Sequence, residues 1–296
     1  MGLIHTVHHL ALGLVIAATP GVVHAQAFEE LMKIGRAQLD SNKADDAAKT
    51  FEKALKVNPQ SANAHLQLGN ALGSIAQKAN VLRQGYLAKR VQSEFEKAVQ
   101  LDGRLVDARE GLMQFYLQAP AIMGGSVGKA REQAAAIVTL SPYRGHFAEA
   151  NIANHDKDPL GAEKAFRSAF DAFPDSSRAL TSLTTLLSNN NRAEEAFAPI
   201  DTYLARRPND RVGLFTLGRA AAVSGKQLDR GEQALRTVLT TPETVDHVRI
   251  PRENVHYRLG DIYAKRGDKV KARAAYEEAI RINPKFEQAK KALAGL

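Results

Sequence analysis

The chain has no cysteine and no tryptophan among its 296 residues, and aromatics make up only 6% of it. Without thiols it can form neither disulfides nor thiolate metal sites, and a cysteine nucleophile is excluded. Apolar runs are equally scarce. Residues 10–19 (LALGLVIAAT) form one, too short for a bilayer, which takes about 20 apolar residues. No second run reaches spanning length, so no transmembrane segment is expected. Recognisable chemistry is also missing. Gly124, Gly128 and Lys129 suggest a phosphate loop, but three residues rather than four separate the glycines, and Ala130 follows where Ser or Thr is needed. His146, His155 and His247 fall at no metal-ligand spacing. No serine is read as the nucleophile of a strand–turn–helix elbow. The acidic pairs Asp45–Asp46, Glu194–Glu195 and Glu277–Glu278 sit where carboxylates ordinarily compensate a helix dipole or meet water. No catalytic residue, cofactor or metal is therefore expected.

Charge of one sign is in modest excess. Forty Lys and Arg against 32 Asp and Glu give a net charge of +8. The basic residues are interspersed with acidic ones rather than clustered, which argues against a nucleic-acid partner. An acidic protein or an anionic envelope surface suits the excess better.

The first 25 residues differ from the rest. The apolar run is followed by Pro20 and Gly21, then by Val23, His24 and Ala25, which place small residues at −1 and −3 of a cleavage point. Ala25 and Ala27 frame a second such point. This layout predicts a secretory signal peptide over residues 1–25, with cleavage after Ala25 or after Ala27. Its n-region departs from the rule, holding His5, His8 and His9 but no Lys or Arg. No cysteine follows the run, so a lipid anchor is not expected. The compartment expected for the mature chain is the periplasm, with secretion as the lesser option.

What the sequence does contain is repetition. Leu259, Gly260, Ala272, Tyr276, Ala279 and Pro284 recur, at the same spacing, as Ile34, Gly35, Ala47, Phe51, Ala54 and Pro59. Pro174, Pro208 and Pro242 stand 34 residues apart. Small residues at fixed places let two helices approach, large ones fill the gaps, and proline stops the second helix. Further copies begin near His65, Arg109, Leu180 and Leu214, and one with an atypical first helix ends at Ala162, Phe166, Ala169 and Pro174. In the second copy ten extra residues separate Gly69 from Phe95, an insertion near residues 74–90 expected to lengthen both helices of its hairpin. In the third, residues 119–128 form a Pro- and Gly-rich break.

This pattern resembles the 34-residue tetratricopeptide repeat (TPR). The resemblance covers the whole mature chain and implies an all-α fold, a right-handed superhelical solenoid of antiparallel helix pairs. The expected organisation is an array over residues 26–242 with about six repeats, a linker at 243–252, a final repeat at 253–284 and a C-terminal capping helix at 285–296. A narrower likeness lies in residues 108–130, where AREGL, FY, AP and GGS segments resemble those of a group of exported bacterial TPR proteins without assigned function. The carboxylate clamp of chaperone-binding TPR domains is not expected. Among Met32, Arg36, Asn70, Asp107 and Gly111, which occupy the corresponding places, only Asn70 matches.

The resemblance also places two rows of first-helix residues on an inner face. One row holds Arg36, Asn70, Gln114, Asn151, Thr185, Arg219 and Asp261; the other holds Met32, Leu66, Glu110, Phe147, Thr181, Phe215 and Tyr257. Amides and guanidinium groups can bond a peptide backbone or a carboxylate. Phe147, Phe215 and Tyr257 could anchor apolar side chains. The function expected is a non-catalytic scaffold that holds a segment of another protein, with Arg36, Asn70, Gln114, Phe147, Asn151, Phe215, Arg219, Tyr257 and Asp261 as its groove. The alternative is an accessory ligand-binding subunit of an envelope transporter or polysaccharide-processing machine.

Overall fold

A computed structural model describes residues 20–242 and 249–296. Most of the expected signal peptide, and residues 243–248 of the expected linker, lie outside the described residues. Both expected cleavage points, after Ala25 and after Ala27, fall within the first helix. The described residues form fifteen α-helices and two short 3-10 turns, with no strand among them. They divide into two compact units, one ending at Ser126 and the other beginning at Val127.

The first unit holds α1 (Pro20–Asp40), α2 (Ala44–Val57), α3 (Ala62–Ala76), α4 (Val81–Leu101) and α5 (Val106–Gln118). Helices α1 and α2 pack as one hairpin, and α3 and α4 as the next. The glycine of each first helix faces the ring of its second. A Cβ on Gly35 would lie 2.4 Å from the Phe51 ring, and one on Gly69 2.7 Å from the Phe95 ring. Phe51, Phe95, Leu68 and Leu72 are buried as a result. Most of the ten-residue insertion goes into α4, which begins 14 residues before Phe95 where α2 begins 7 before Phe51, while α3 runs 7 residues past Gly69 where α1 runs 5 past Gly35. Both helices of this hairpin therefore lengthen, α4 by much more than α3. Phe95 keeps its register opposite Gly69, and the added turns extend α4 at its N-terminal end.

The second unit holds α6 (Val127–Leu140), α7 (Pro142–His155), α8 (Pro159–Ala172), α9 (Ser177–Asn189), α10 (Phe197–Arg206), α11 (Arg211–Ser224), α12 (Leu228–Thr240), α13 (Arg252–Lys265), α14 (Lys269–Ile282) and α15 (Glu287–Ala294). The atypical fourth copy is a regular hairpin, α7 against α8. Only Ser141 separates α6 from α7, and Pro142 opens α7, a position where its missing N–H costs nothing. Their crossing is close, since a Cβ on Gly145 would meet the Val138 Cα at 2.4 Å. Side-chain caps start several helices. Ser176 accepts from the Ala179 amide at 3.1 Å, Asp210 from Gly213 at 2.8 Å and Asp268 from Lys271 at 3.0 Å. The last hairpin repeats the glycine–ring contact, with Gly260 against Tyr276, and α15 packs on α14 as the expected cap.

Carboxylates tie neighbouring hairpins of this unit together. Glu163 of α8 accepts from Arg192 at 2.6 Å and from Arg167 at 2.9 Å. Glu232 of α12 accepts from the Tyr263 hydroxyl at 2.7 Å, from Arg236 at 2.9 Å and from Arg266. Burial works to raise the Glu232 carboxyl, but the hydrogen bonds from Tyr263, Arg236 and Arg266 prevail and hold it at about 2, below the ordinary 4.5. A carboxylate more acidic folded than unfolded contributes stability above about pH 4.5 and loses it as pH falls toward 2.

Both kinds of contact can be tested by substitution. Gly260→Ala should destabilise the last hairpin by about 1–2 kcal/mol, since overpacking against Tyr276 exceeds the roughly 1 kcal/mol of helix preference gained; urea unfolding measures it, and an unchanged midpoint would contradict the close contact. Glu232→Gln should lower stability at pH 7 and flatten its decline between pH 4.5 and 2. Acid titration followed by circular dichroism checks the slope.

Candidate functional site

In the first unit, α3, α4 and α5 line an open cavity of about 610 Å³. Its walls come from residues one helical turn apart: Gly69, Asn70 and Gly73 on α3; Gln84, Ala88, Val91 and Phe95 on α4; Gly111, Gln114, Phe115 and Gln118 on α5. Two sequence features create it. The added turns of α4 supply Gln84 and Ala88. The Pro/Gly break supplies the end wall, because residues 119–125 fold back on themselves around a 3-10 turn at Ala121–Met123. The Gly125 amide donates to the Pro120 carbonyl at 3.1 Å and the Ser126 amide to the Tyr116 carbonyl at 2.9 Å. A Cβ on Gly125 would fall 1.7 Å from the Ala119 carbonyl oxygen, so only glycine closes this turn. Met123 is thereby carried to the cavity and sits 3.9 Å from where a Cβ on Gly85 would be.

The lining has a distinct chemistry. Asn70, Gln77, Gln84, Gln114 and Gln118 bring five amides to it, Val91, Phe95, Phe115 and Met123 give it apolar walls, and no charged side chain lines it. Glycine opens the space. Gly69 and Gly111 both press on Phe95, whereas a Cβ on Gly73 would have nothing within 4 Å.

The structure brings Asn70 and Gln114, two of the expected groove residues, to this one cavity. Arg36 is exposed on α1 and Asn151 on α7, and neither lines it. Phe147 is a correction. It is only 7% exposed, set edge-on to Tyr143 at 5.1 Å and covered by the Arg178 guanidinium 4.1 Å above its ring. With Phe166 5.9 Å away, these groups fill the space that an open groove position would have. Met32 and Leu66 of the same row are likewise buried. Phe215 packs half-buried against the core of the second unit. Tyr257 stacks edge-on against Phe286 at 5.3 Å, with the Arg258 guanidinium 4.8 Å from its ring.

Arg219 and Asp261 are half-buried residues of the second unit, linked through Arg258, which bonds Asp261 and whose charge acts on Arg219. Asp261 accepts from the Tyr276 hydroxyl at 2.9 Å and from Arg258 at 2.8 Å. Burial pushes its carboxyl above the usual range, and Arg258 and Tyr276 oppose that rise. Arg219 donates from Nη2 to the buried Thr184 hydroxyl at 3.0 Å. Its Nε is buried with no hydrogen-bond partner. Burial, reinforced by repulsion from Arg258, pulls the guanidinium down to about 10.

Residues 124–128 read Gly-Gly-Ser-Val-Gly, which spells G-x-S-x-G around Ser126. They follow a 3-10 turn rather than a strand, so the strained elbow that exposes a nucleophile is not formed. No group of three or more His, Asp or Glu suited to a metal ion occurs among the described residues. No helix there is long and apolar enough to cross a membrane. Sequence reasoning missed Gln84, Phe115, Gln118 and Met123; the helical spacing of residues 84, 88, 91 and 95 along α4 was the available signal.

These features define an all-α solenoid of stacked helical hairpins with an uncharged, amide-rimmed cavity. The family model described as tetratricopeptide repeat matches residues 253–286, and that described as TPR repeat matches residues 35–74. Comparison with curated proteins yields no match. Among solved structures, the chain is similar to a tetratricopeptide repeat protein from Parabacteroides merdae, at 17% identity over 91% of this chain and 98% of that one, with a TM-score of 0.52. It is also similar to yeast Tom70, at 14% identity over 86% of this chain and 51% of that one, with a TM-score of 0.54. At these identities the likeness is one of fold. The chain carries tetratricopeptide repeats in these two stretches, and its fold is that of an all-α TPR solenoid. TPR arrays are in general non-catalytic, protein-binding folds.

The open space at Gly73 generates a stability prediction opposite in sign to that at Gly260. Gly73→Ala should stabilise the first unit by about 0.5–1 kcal/mol, the helix-propensity gain with no clash to offset it. Urea unfolding measures the shift, and a loss of stability would show that the site is already filled.

Proposed function

We propose that this chain is an exported, periplasmic TPR scaffold that binds a segment of another protein without catalysing a reaction. The cavity between α3, α4 and α5 is its principal seat. The observation that carries this reading is the cavity's lining: five amides around apolar walls, with no charge. Amides offer both donors and acceptors, the complement of a peptide backbone, while Phe95, Phe115 and Met123 suit an apolar side chain. A volume of about 610 Å³ falls within the range of sites that bury a few side chains. The apolar run at residues 10–19 and the small residues before the cleavage points support export.

The test uses the geometry of Gly73. Gly73→Leu places a side chain in open space, filling the seat while leaving the helix pairs intact. The tagged protein, crosslinked in its own cells and captured beside this variant, should enrich a partner that the variant loses at least tenfold, as a mass-spectrometric ratio. Equal recovery by native protein and variant would place the binding surface elsewhere. Terminal sequencing of the purified protein tests export, which requires a start at Gln26 or Phe28 rather than at Met1.

A further inference from the structure

Arg219 has an unusual environment for a half-buried guanidinium. Arginine is rarely removed from water without an acidic partner, because an unpaired buried charge is costly. Its Nη2 reaches only the hydroxyl of Thr184, a residue 1% exposed on α9. Its Nε is buried and unpartnered, whereas Nη1 keeps solvent access and has no protein acceptor among the described residues. The charge that acts on it is another cation, Arg258. The carboxylate that Arg258 bonds, Asp261 at 2.8 Å, is also engaged by Tyr276 at 2.9 Å. The cluster on α9, α11, α13 and α14 therefore holds two guanidinium groups against one carboxylate.

We infer that Arg219 is a receptor for one carboxylate of a protein partner, which would dock end-on against Nη1 and Nη2 while Thr184 fixes the guanidinium plane. The chemistry follows from the fork geometry of arginine, whose paired N–H groups match the two oxygens of a carboxylate. An incoming carboxylate would balance the excess charge. The inference leans on the protein-scaffold reading only for what carries the carboxylate, and its site is separate from the α3–α5 cavity. Two carriers share this chemistry, an acidic side chain and the C-terminus of a polypeptide.

The unpaired state has a measurable signature. A guanidinium less basic in the folded than in the unfolded protein opposes folding wherever it stays charged. Arg219→Met, which keeps the apolar stem and removes the charge, should melt at the native temperature or above it. A residue retained for structure would give the opposite result.

The experiment uses the full-length protein labelled with 15N-arginine and two pentapeptide probes at millimolar concentration. One probe is blocked at both ends with a central glutamate; the other has no acidic side chain and a free C-terminal carboxylate. The Arg219 Nε–H resonance should move saturably with at least one probe, and the responding probe identifies the carrier. Arg219→Met should bind that probe at least tenfold more weakly without melting lower. Failure of both probes to move the resonance, or equal affinity of native protein and variant, would overturn the inference. So would a variant that melts several degrees lower, which would make Arg219 structural. Should Arg219→Met fail to fold, the resonance of the native protein still decides whether the site takes a carboxylate. None of these readouts involves Gly73 or a captured partner, so this inference and the scaffold reading can fail separately.

Discussion

The contact between a glycine on the first helix of a hairpin and a large side chain on the second sets the separation on which the remaining structure depends. Gly35 admits Phe51, Gly69 admits Phe95, Gly218 admits Leu235 and Gly260 admits Tyr276, each so closely that a single added carbon would collide. Interiors are packed to the density of organic crystals, so a spacing fixed at this point propagates to every neighbouring side chain. Where the glycine is replaced, the packing adapts. Thr184 stands at that place on α9, bonds its own helix through the Leu180 carbonyl at 2.8 Å, and offers its oxygen to Arg219.

The same constraint explains how a cavity can exist in a tightly packed array. Phe95 is gripped from both sides, by Gly69 and by Gly111, which holds α3, α4 and α5 in register. Beyond that grip α4 continues for extra turns, and the fold-back at residues 119–125 closes the far end. Space remains because many of the residues facing it are glycine, alanine and amides rather than leucine or isoleucine. A stretch that packed for stability alone would fill Gly73, whose Cβ position is empty. The unfilled volume thus reflects side-chain choice along the added turns as much as helix geometry.

The repeat architecture was legible in the sequence because it depends on side-chain size at fixed spacing, and the glycine–ring pairs are local to one hairpin. The cavity was legible only in part. Asn70 and Gln114 share a register position, so they could be grouped, but the walls from α4 and from the turn depend on where an insertion and a Pro/Gly break fold. Phe147 was misplaced for a related reason. Tyr143 of its own helix, Phe166 of α8 and Arg178 of α9 cover it, and Met32 and Leu66 of the same row are buried too. The isolation of Arg219 could not be read from sequence at all, since it depends on which charges fail to arrive nearby. Asp261, grouped with it on the inner face, turns out to be committed to Tyr276 and Arg258.

The central claim is that the amide-rimmed cavity, and not an outer helix face, meets the partner. Site-specific photocrosslinking tests it most directly, with a photoreactive residue placed in turn at Gln114, which lines the cavity, and at Ser93, an exposed residue on the opposite side of α4. The account predicts a single discrete adduct from position 114 and none from position 93. Adducts of equal yield from both positions, or an adduct from position 93 alone, would contradict it.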